Sequence, residues 1–276
     1  MQIENAVFAV TGAGNGMGRQ VVLELVRRGA RVAAFDRDET GLAETAGLAG
    51  AGDRVSTHVV NVTDPGAVAA MPAVVEAVHG HVDAVINIAG IIHRFTSFED
   101  LTAEETQRVL EVNLIGTIAV SRAFLPVLQQ RPRAALVNMA SLAALVPFAG
   151  QTLYGASKAA VKQFSEGIYA ELRGSTVTVS TIFPGNIATN LTGNSGVAMI
   201  DAGGRKVRST SPEDAGRQIV QGIANGRFRI LIGRDARLLS LLERLAPRWT
   251  TDMVARQMAS VLSPPAGSRT PQRVAS

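Results

Sequence analysis

Thr11-Gly12-Ala13-Gly14-Asn15-Gly16-Met17-Gly18 decides how this chain is read. The stretch follows a short apolar run at 6–10 and opens an amphipathic stretch at 18–28. A glycine-rich turn between a strand and a helix is the setting in which main chain meets a pyrophosphate. Glycine tolerates positive φ and permits close approach, and the N–H groups of the helix start then face the phosphates. Gly12, Asn15, Gly16, Met17 and Gly18 are therefore candidate dinucleotide contacts. Any tight turn can need glycine; the position after an N-terminal strand is what gives this one weight.

Outward from the turn, the chain alternates. Near-continuous apolar runs lie at 6–10, 31–35, 55–60, 84–88, 135–139, 176–183 and 228–232. Such runs suit parallel strands covered on both faces. Helical stretches lie between them, at 18–28, 65–79, 103–128, 155–173 and 212–225. The pattern predicts an α/β fold of Rossmann type: a doubly wound, mainly parallel seven-stranded sheet with helices on both faces. One domain is expected over 1–262, with a substrate loop at 187–210, a helical extension at 234–260 and a flexible tail at 263–276.

Composition narrows the chemistry. A chain with 46% hydrophobic and 18% charged residues is not intrinsically disordered. The absence of cysteine excludes disulfides, thiolate metal sites and cysteine nucleophiles. The four histidines (His58, His79, His81, His93) lack ligand spacing, so no metal site is expected. Residues 134–157 carry no charge, but Asn138, Ser141, Pro147, Gln151 and Tyr154 interrupt them. A buried strand running into a pocket loop fits them better than a bilayer span. With no leader pattern at the N-terminus, a soluble, cytoplasmic protein is expected. Residues 1–180 carry 14 basic and 17 acidic side chains, and residues 181–276 carry 13 and 6. That basic third reads as a solvated arginine-rich surface, and no nucleic-acid partner is expected.

The second apolar run ends at Asp36, 18 positions beyond Gly18. A carboxylate there accepts hydrogen bonds from an adenosine ribose and repels a 2′-phosphate, which favours NAD(H) over NADP(H). Arg37 pulls the other way, because a guanidinium can hold a 2′-phosphate. Tyr154 and Lys158 stand i, i+4 on one helix face. A free phenol, with a pKa near ~10, is a poor base at neutral pH. A neighbouring ammonium favours the phenolate and makes it a general acid/base. Ser141, just past the fifth run, can hold a substrate oxygen beside it. The chain has only three lysines, at 158, 162 and 206, so a lysine where arginine is the habit reads as a chemical requirement. Taken singly, Ser141 could be a helix cap, Tyr154 and Lys158 a surface pair, and Asn113 a buried amide.

The ordered set TGAGNGMG at 11–18, Asn87-Ile88-Ala89-Gly90, Asn113, Ser141, Tyr154-x-x-x-Lys158 and Pro184-Gly185 resembles the short-chain dehydrogenase/reductase family, single-domain branch, over roughly residues 5–235. The resemblance implies hydride transfer between a nicotinamide and a CH–OH group, with Asn113, Ser141, Tyr154 and Lys158 as the catalytic set. It implies that Asn113 holds a relay water for Lys158, and that Tyr154 and Lys158 also bind the nicotinamide ribose. Asn87, Ala89 and Gly90 are implied cofactor neighbours. Asn61 and Val62 fall at the adenine, where the family commonly has Asp-Val; the Asn61 amide oxygen can still accept a bond. Pro184, Gly185, Ile187 and Thr189 fall at the carboxamide. A homodimer or homotetramer through 103–128 and 155–173 is also implied.

Ile92, His93, Ala143, Val146, Pro147, Phe148 and Leu191 are the expected pocket residues. They are mainly apolar, so an apolar or aromatic alcohol or ketone is the expected substrate, with His93 a wall residue. Two rivals stand beside this reading: an NADP(H)-dependent 3-oxoacyl thioester reductase, and a non-catalytic cofactor-sensing protein. Within 234–258, Leu238, Leu241, Leu242, Leu245 and Trp249 form one helical stripe among arginines, and Pro247 should kink or restart the helix. Packing of this stripe on the core or on a sister subunit is preferred to a role as pocket cover or to contact with an anionic membrane.

Overall fold

The computed structural model describes residues 1–187 and 209–262, with the backbone alone for 259–262. Nearly all of the expected substrate loop, and the whole expected tail, lie outside these residues.

Seven strands form: β1 Val7–Thr11, β2 Arg31–Asp36, β3 Val55–Val59, β4 Ala84–Asn87, β5 Ala134–Met139, β6 Val177–Pro184 and β7 Arg229–Ile232. They make one sheet in the order β3-β2-β1-β4-β5-β6-β7, with every adjacent pair parallel. The helices are α1 Gly16–Arg27, α2 Glu39–Ala49, α3 Pro65–His79, α4 Ala103–Leu110, α5 Thr117–Gln129, α6 Thr152–Glu171, α7 Pro212–Ala224, α8 Arg234–Leu245 and α9 Pro247–Leu262.

The apolar runs form strands because both sheet faces are covered. Along β1, Phe8 and Val10 enter one core with Val22 and Leu25 of α1 and Ile219 of α7. Val7 and Ala9 enter the other, with Met71 of α3 and Phe124 of α5. Successive side chains point to opposite faces, so a doubly covered strand must be apolar at every position. Local signals fix several helix starts. Asp64 accepts from the Gly66 and Ala67 N–H groups ahead of α3, and Thr102 and Glu105 close a capping box on α4.

Three expectations are corrected. The helix read at 103–128 is interrupted by a π-helical turn, Glu111–Gly116, between α4 and α5. Helix α2 has no counterpart among the expected helices; its sequence ETGLAETAGLA has little amphipathic pattern, and an Asp38 cap and a left-handed Gly50 delimit it. Apart from half-buried Leu242, the leucine stripe of α8 does not pack on the chain's own core; the sister-subunit alternative stands. Leu238, Leu241, Leu245 and Trp249 are 53–74% exposed, whereas Ala236 and Leu239 on the opposite face join a small core with Leu142, Val146 and Val254. Pro247 restarts the helix, as expected.

From β1 the strand order runs one way to β2 and β3 and the other way to β4. The carboxyl ends of β1 and β4 therefore open a crevice, where open α/β sheets bind ligands.

Candidate active site

The glycine turn sits at the mouth of this crevice. Gly12 has φ +70°, and a Cβ there meets the Ala89 nitrogen at 2.7 Å. A Cβ on Gly18 meets the Gly12 carbonyl oxygen at 1.9 Å. These two glycines let β1, the β4 end and α1 converge. The Thr11 hydroxyl ties them together, accepting from the Ile88 and Ala89 N–H groups at 3.1 and 3.3 Å. Gly16 differs: its φ is +51°, but a Cβ there would have no protein atom within 4 Å. It faces open space at the first turn of α1, where the Asn15 side chain makes no capping bond to the helix. A cradle with an open glycine and helix-start N–H groups fits a pyrophosphate.

Asp36 stands at the end of β2, beside the glycine turn. Its Oδ2 accepts from Gly14 N–H at 2.9 Å and its Oδ1 from Asp38 N–H at 3.1 Å. Each oxygen keeps a lone pair for a ligand hydroxyl. Arg37 beside it is exposed. Asn61 is exposed and its Oδ1 accepts from Thr63 N–H at 3.1 Å, while Val62 packs against Gly116 of the π turn.

The catalytic candidates converge at the carboxyl ends of β4 and β5. Lys158 of α6 is 3% exposed and donates to the Met139 carbonyl at 3.0 Å. Its Nζ lies 6.0 Å from the Tyr154 ring centroid. A Cβ on Gly90 would stand 3.1 Å from both Lys158 Nζ and Asn113 Oδ1, so only glycine leaves this corner open. The Ser141 hydroxyl caps a short 3₁₀ turn through Ala143 N–H at 3.1 Å and stands near enough to the Tyr154 phenol to lower its proton affinity. Burial lowers the Lys158 ammonium to about 8. Tyr154 is half-buried as a residue; burial still dominates its proton affinity and raises the phenol, and Ser141 draws it back down.

The Asn113 amide ties the loop after Gly90 to α6. It accepts from Ile91 N–H at 2.8 Å and donates to the Ile91 carbonyl at 2.9 Å and to Ser157 Oγ at 3.0 Å. Ser157 in turn donates to the Tyr154 carbonyl at 2.7 Å. One amide thus clamps the loop after Gly90 onto the helix that carries Tyr154 and Lys158.

Several sequence expectations are redirected. The Asn87 side chain turns into the core, donating to Asn138 Oδ1 at 2.8 Å and Ser121 Oγ at 3.1 Å, so it braces β4 against β5 instead of facing a cofactor. Val146 is fully buried, packed with Leu142, Ala236 and Val254. Pro147 is exposed, Ala143 and Phe148 are half-buried, and Ile92 is buried. His93 is buried with Nδ1 against the Arg94 carbonyl at 2.7 Å, and its own carbonyl accepts from Gln151. Gly185 N–H donates to the Ile232 carbonyl, and Ile187 bridges to Thr210. Thr189 and Leu191 lie outside the described residues.

A family profile described as short chain dehydrogenase matches residues 6–199. The chain belongs to the short-chain dehydrogenase family. This family member is similar to the Mycobacterium tuberculosis oxidoreductase SadH, at 33% identity over 88% of this chain and 91% of that one. A short-chain dehydrogenase from Burkholderia cenocepacia, solved with NADP, superposes with TM-score 0.77 at 26% identity over 96% of this chain and 100% of that one. A relative from Burkholderia phymatum, solved with NAD, shares the fold with TM-score 0.79 at 24% identity over 90% and 96%.

Sequence reading missed several residues that shape this dehydrogenase's site. Arg19 pins the turn, with Nε at 3.1 Å from both the Gly14 carbonyl and Thr45 Oγ1, and pairs with Glu44 at 2.7 Å. Asp235 accepts from Asn186 N–H at 2.6 Å, holding the segment after β6. No local pattern marks these, because each acts across 22 or more positions or through the turn's own backbone.

Gly16 and Gly18 separate ligand space from packing. Gly16→Ala should leave folding largely intact, at a backbone cost of roughly 1–2 kcal/mol, while sharply weakening dinucleotide binding. Gly18→Ala should destabilise the fold itself. Urea unfolding and NADH fluorescence titration on both variants check this; unchanged NADH affinity in Gly16→Ala would contradict it.

Proposed function

We propose that this chain transfers hydride between NAD(H) and a secondary alcohol or ketone of apolar or aromatic character, with Tyr154 as general acid/base. The observation that carries the reading is a buried Lys158, tied to the Met139 carbonyl at the end of β5, with its Nζ 6.0 Å from the Tyr154 ring and Ser141 beside the phenol at the crevice.

The glycine turn from Gly12 to Gly18 holds the pyrophosphate, Asp36 the adenosine ribose, and Asn61 and Val62 the adenine. Ala89 and Gly90 form the floor. Lys158 and Tyr154 reach the nicotinamide ribose, and the backbone after Pro184 holds the carboxamide. When bound, the dinucleotide supplies the hydride for reduction or accepts it in oxidation. Ser141 donates to the substrate oxygen and keeps it beside the phenol. In reduction, Tyr154 gives its proton to that oxygen as hydride reaches the carbon; in oxidation, the phenolate takes the proton back. The Lys158 charge favours the phenolate in both directions. Half-buried Ala143 and Phe148 and buried Ile92 support an apolar substrate wall. Assembly as a dimer or tetramer through α4–α5 and α6 is part of the proposal; Ile115 in the π turn between α4 and α5 and Tyr169 on α6 are exposed.

Tyr154→Phe should lower turnover on responsive ketones by about a hundred- to ten-thousand-fold and leave NADH binding intact. Near-full activity in that variant would end the mechanism. Solved relatives carry either dinucleotide, so the preference for NAD(H) rests on Asp36. Fluorescence titration should give tighter binding of NADH than NADPH, and Asp36→Ala should narrow the gap. Tighter NADPH binding by the unaltered protein would contradict the assignment.

A further inference from the structure

Helix α8 is built inside out for a helix that meets water. Ala236, Leu239 and Glu243 follow i, i+3, i+7 and share one face. That face turns inward: Ala236 and Leu239 join the core with Val146 and Val254, and Glu243 Oε2 is buried without a hydrogen-bond partner. The opposite face repeats the same spacing with Leu238, Leu241 and Leu245, exposed by 58%, 53% and 74%. Trp249, at the start of α9, extends the row at 54% exposure. A surface helix ordinarily places leucines inward and carboxylates outward. Here one oxygen of a half-buried carboxylate lies without a partner while three leucines and a tryptophan face out.

The exposed charge beside this row is mostly positive. Arg234, Arg237, Arg244 and Arg248 are exposed. The α8 carboxylates do not balance them: Asp235 is held by Asn186 N–H, and Glu243 is turned inward, where burial favours its neutral form. Among the described residues of α8 and α9, Asp252 is the one exposed carboxylate. The sequence beyond α9 adds Arg269 and Arg273 and no acidic residue.

We propose that the outer face of α8 and the start of α9 dock on an anionic phospholipid surface. Leucines and an indole enter the headgroup boundary, and arginines extend to the phosphates around them. An interfacial helix needs this combination of an apolar row and flanking cations. A second copy of the chain fits less well. A two-fold contact sets the same patch against itself, arginine against arginine. The inner faces of α8 and α9 pack on Leu142, Val146 and Phe148, the segment that follows Ser141. Docking therefore holds the outer wall of the catalytic cleft at the lipid surface. The inference is independent of which dinucleotide or substrate the site takes.

Trp249 is the only tryptophan in the chain, so fluorescence excited selectively at tryptophan reports this face alone. The full chain is titrated with vesicles of phosphatidylcholine, with and without phosphatidylglycerol, at low and high salt. A blue shift and co-sedimentation with the anionic vesicles, reversed by salt, are expected. Arg237→Glu/Arg244→Glu and Leu241→Ser/Leu245→Ser should each weaken partition by at least about tenfold, with NADH titration as the control for folding. No shift, or equal binding to neutral vesicles, overturns the proposal. So does a lipid-free, concentration-dependent blue shift that Leu241→Ser/Leu245→Ser abolishes, which would make the face a contact between copies. A shift with polyglutamate and none with vesicles would assign the face to an acidic protein and also overturn it.

Discussion

An ammonium removed from water holds its proton less tightly unless a carboxylate stands beside it. Lys158 is in that position: nearly fully buried, bonded to one backbone carbonyl, and lowered to about 8. The rest of the catalytic corner is arranged around it. The end of β5 supplies the Met139 carbonyl, the end of β4 supplies Gly90, and the π turn supplies Asn113. Near neutral pH the group is charged but close to releasing its proton. Such a group can steady a phenolate and also exchange protons without a large barrier.

The same convergence makes the crevice. Gly12 and Gly18 let backbone segments approach to distances that no Cβ permits, and the Thr11 hydroxyl locks the β4 end to β1. Asn87 and Asn138, paired across β4 and β5, fill the space beneath with hydrogen bonds instead of apolar packing. Asn87 Oδ1 itself is buried without a partner, but the linkage through Nδ2 holds the two strand ends that carry Gly90 and Ser141 in fixed register.

What is legible in the sequence follows from this construction. A strand covered on both faces must be apolar throughout; edge strand β3, VSTHV, is only partly buried, yet each strand lies within one residue of its apolar run at either end. Tyr154 and Lys158 are legible because helical spacing is local. The π turn is not, since nothing in LEVNLIG distinguishes a five-residue hydrogen-bond step from a four-residue one. Asn87 reads as a cofactor neighbour because the residues after it in the motif face the crevice, yet strand alternation sends its side chain the other way. The α8 stripe misleads for a related reason: periodicity identifies an apolar face but not what lies opposite it, and Glu243 with Ala236 takes the inward side. Arg19, Asp235 and Ser157 act through tertiary contacts that a single sequence does not display.

The central claim is that folding buries the Lys158 amine beside the Tyr154 phenol with its charge near the point of release. With only three lysines in the chain, side-chain-labelled lysine can be titrated by NMR, and Lys162→Arg and Lys206→Arg identify the remaining signal. The account predicts that the Lys158 resonance titrates near pH 8 in the dinucleotide-free protein. A Lys158 resonance that titrates with the others, at the ordinary lysine value of about 10.4, would contradict it.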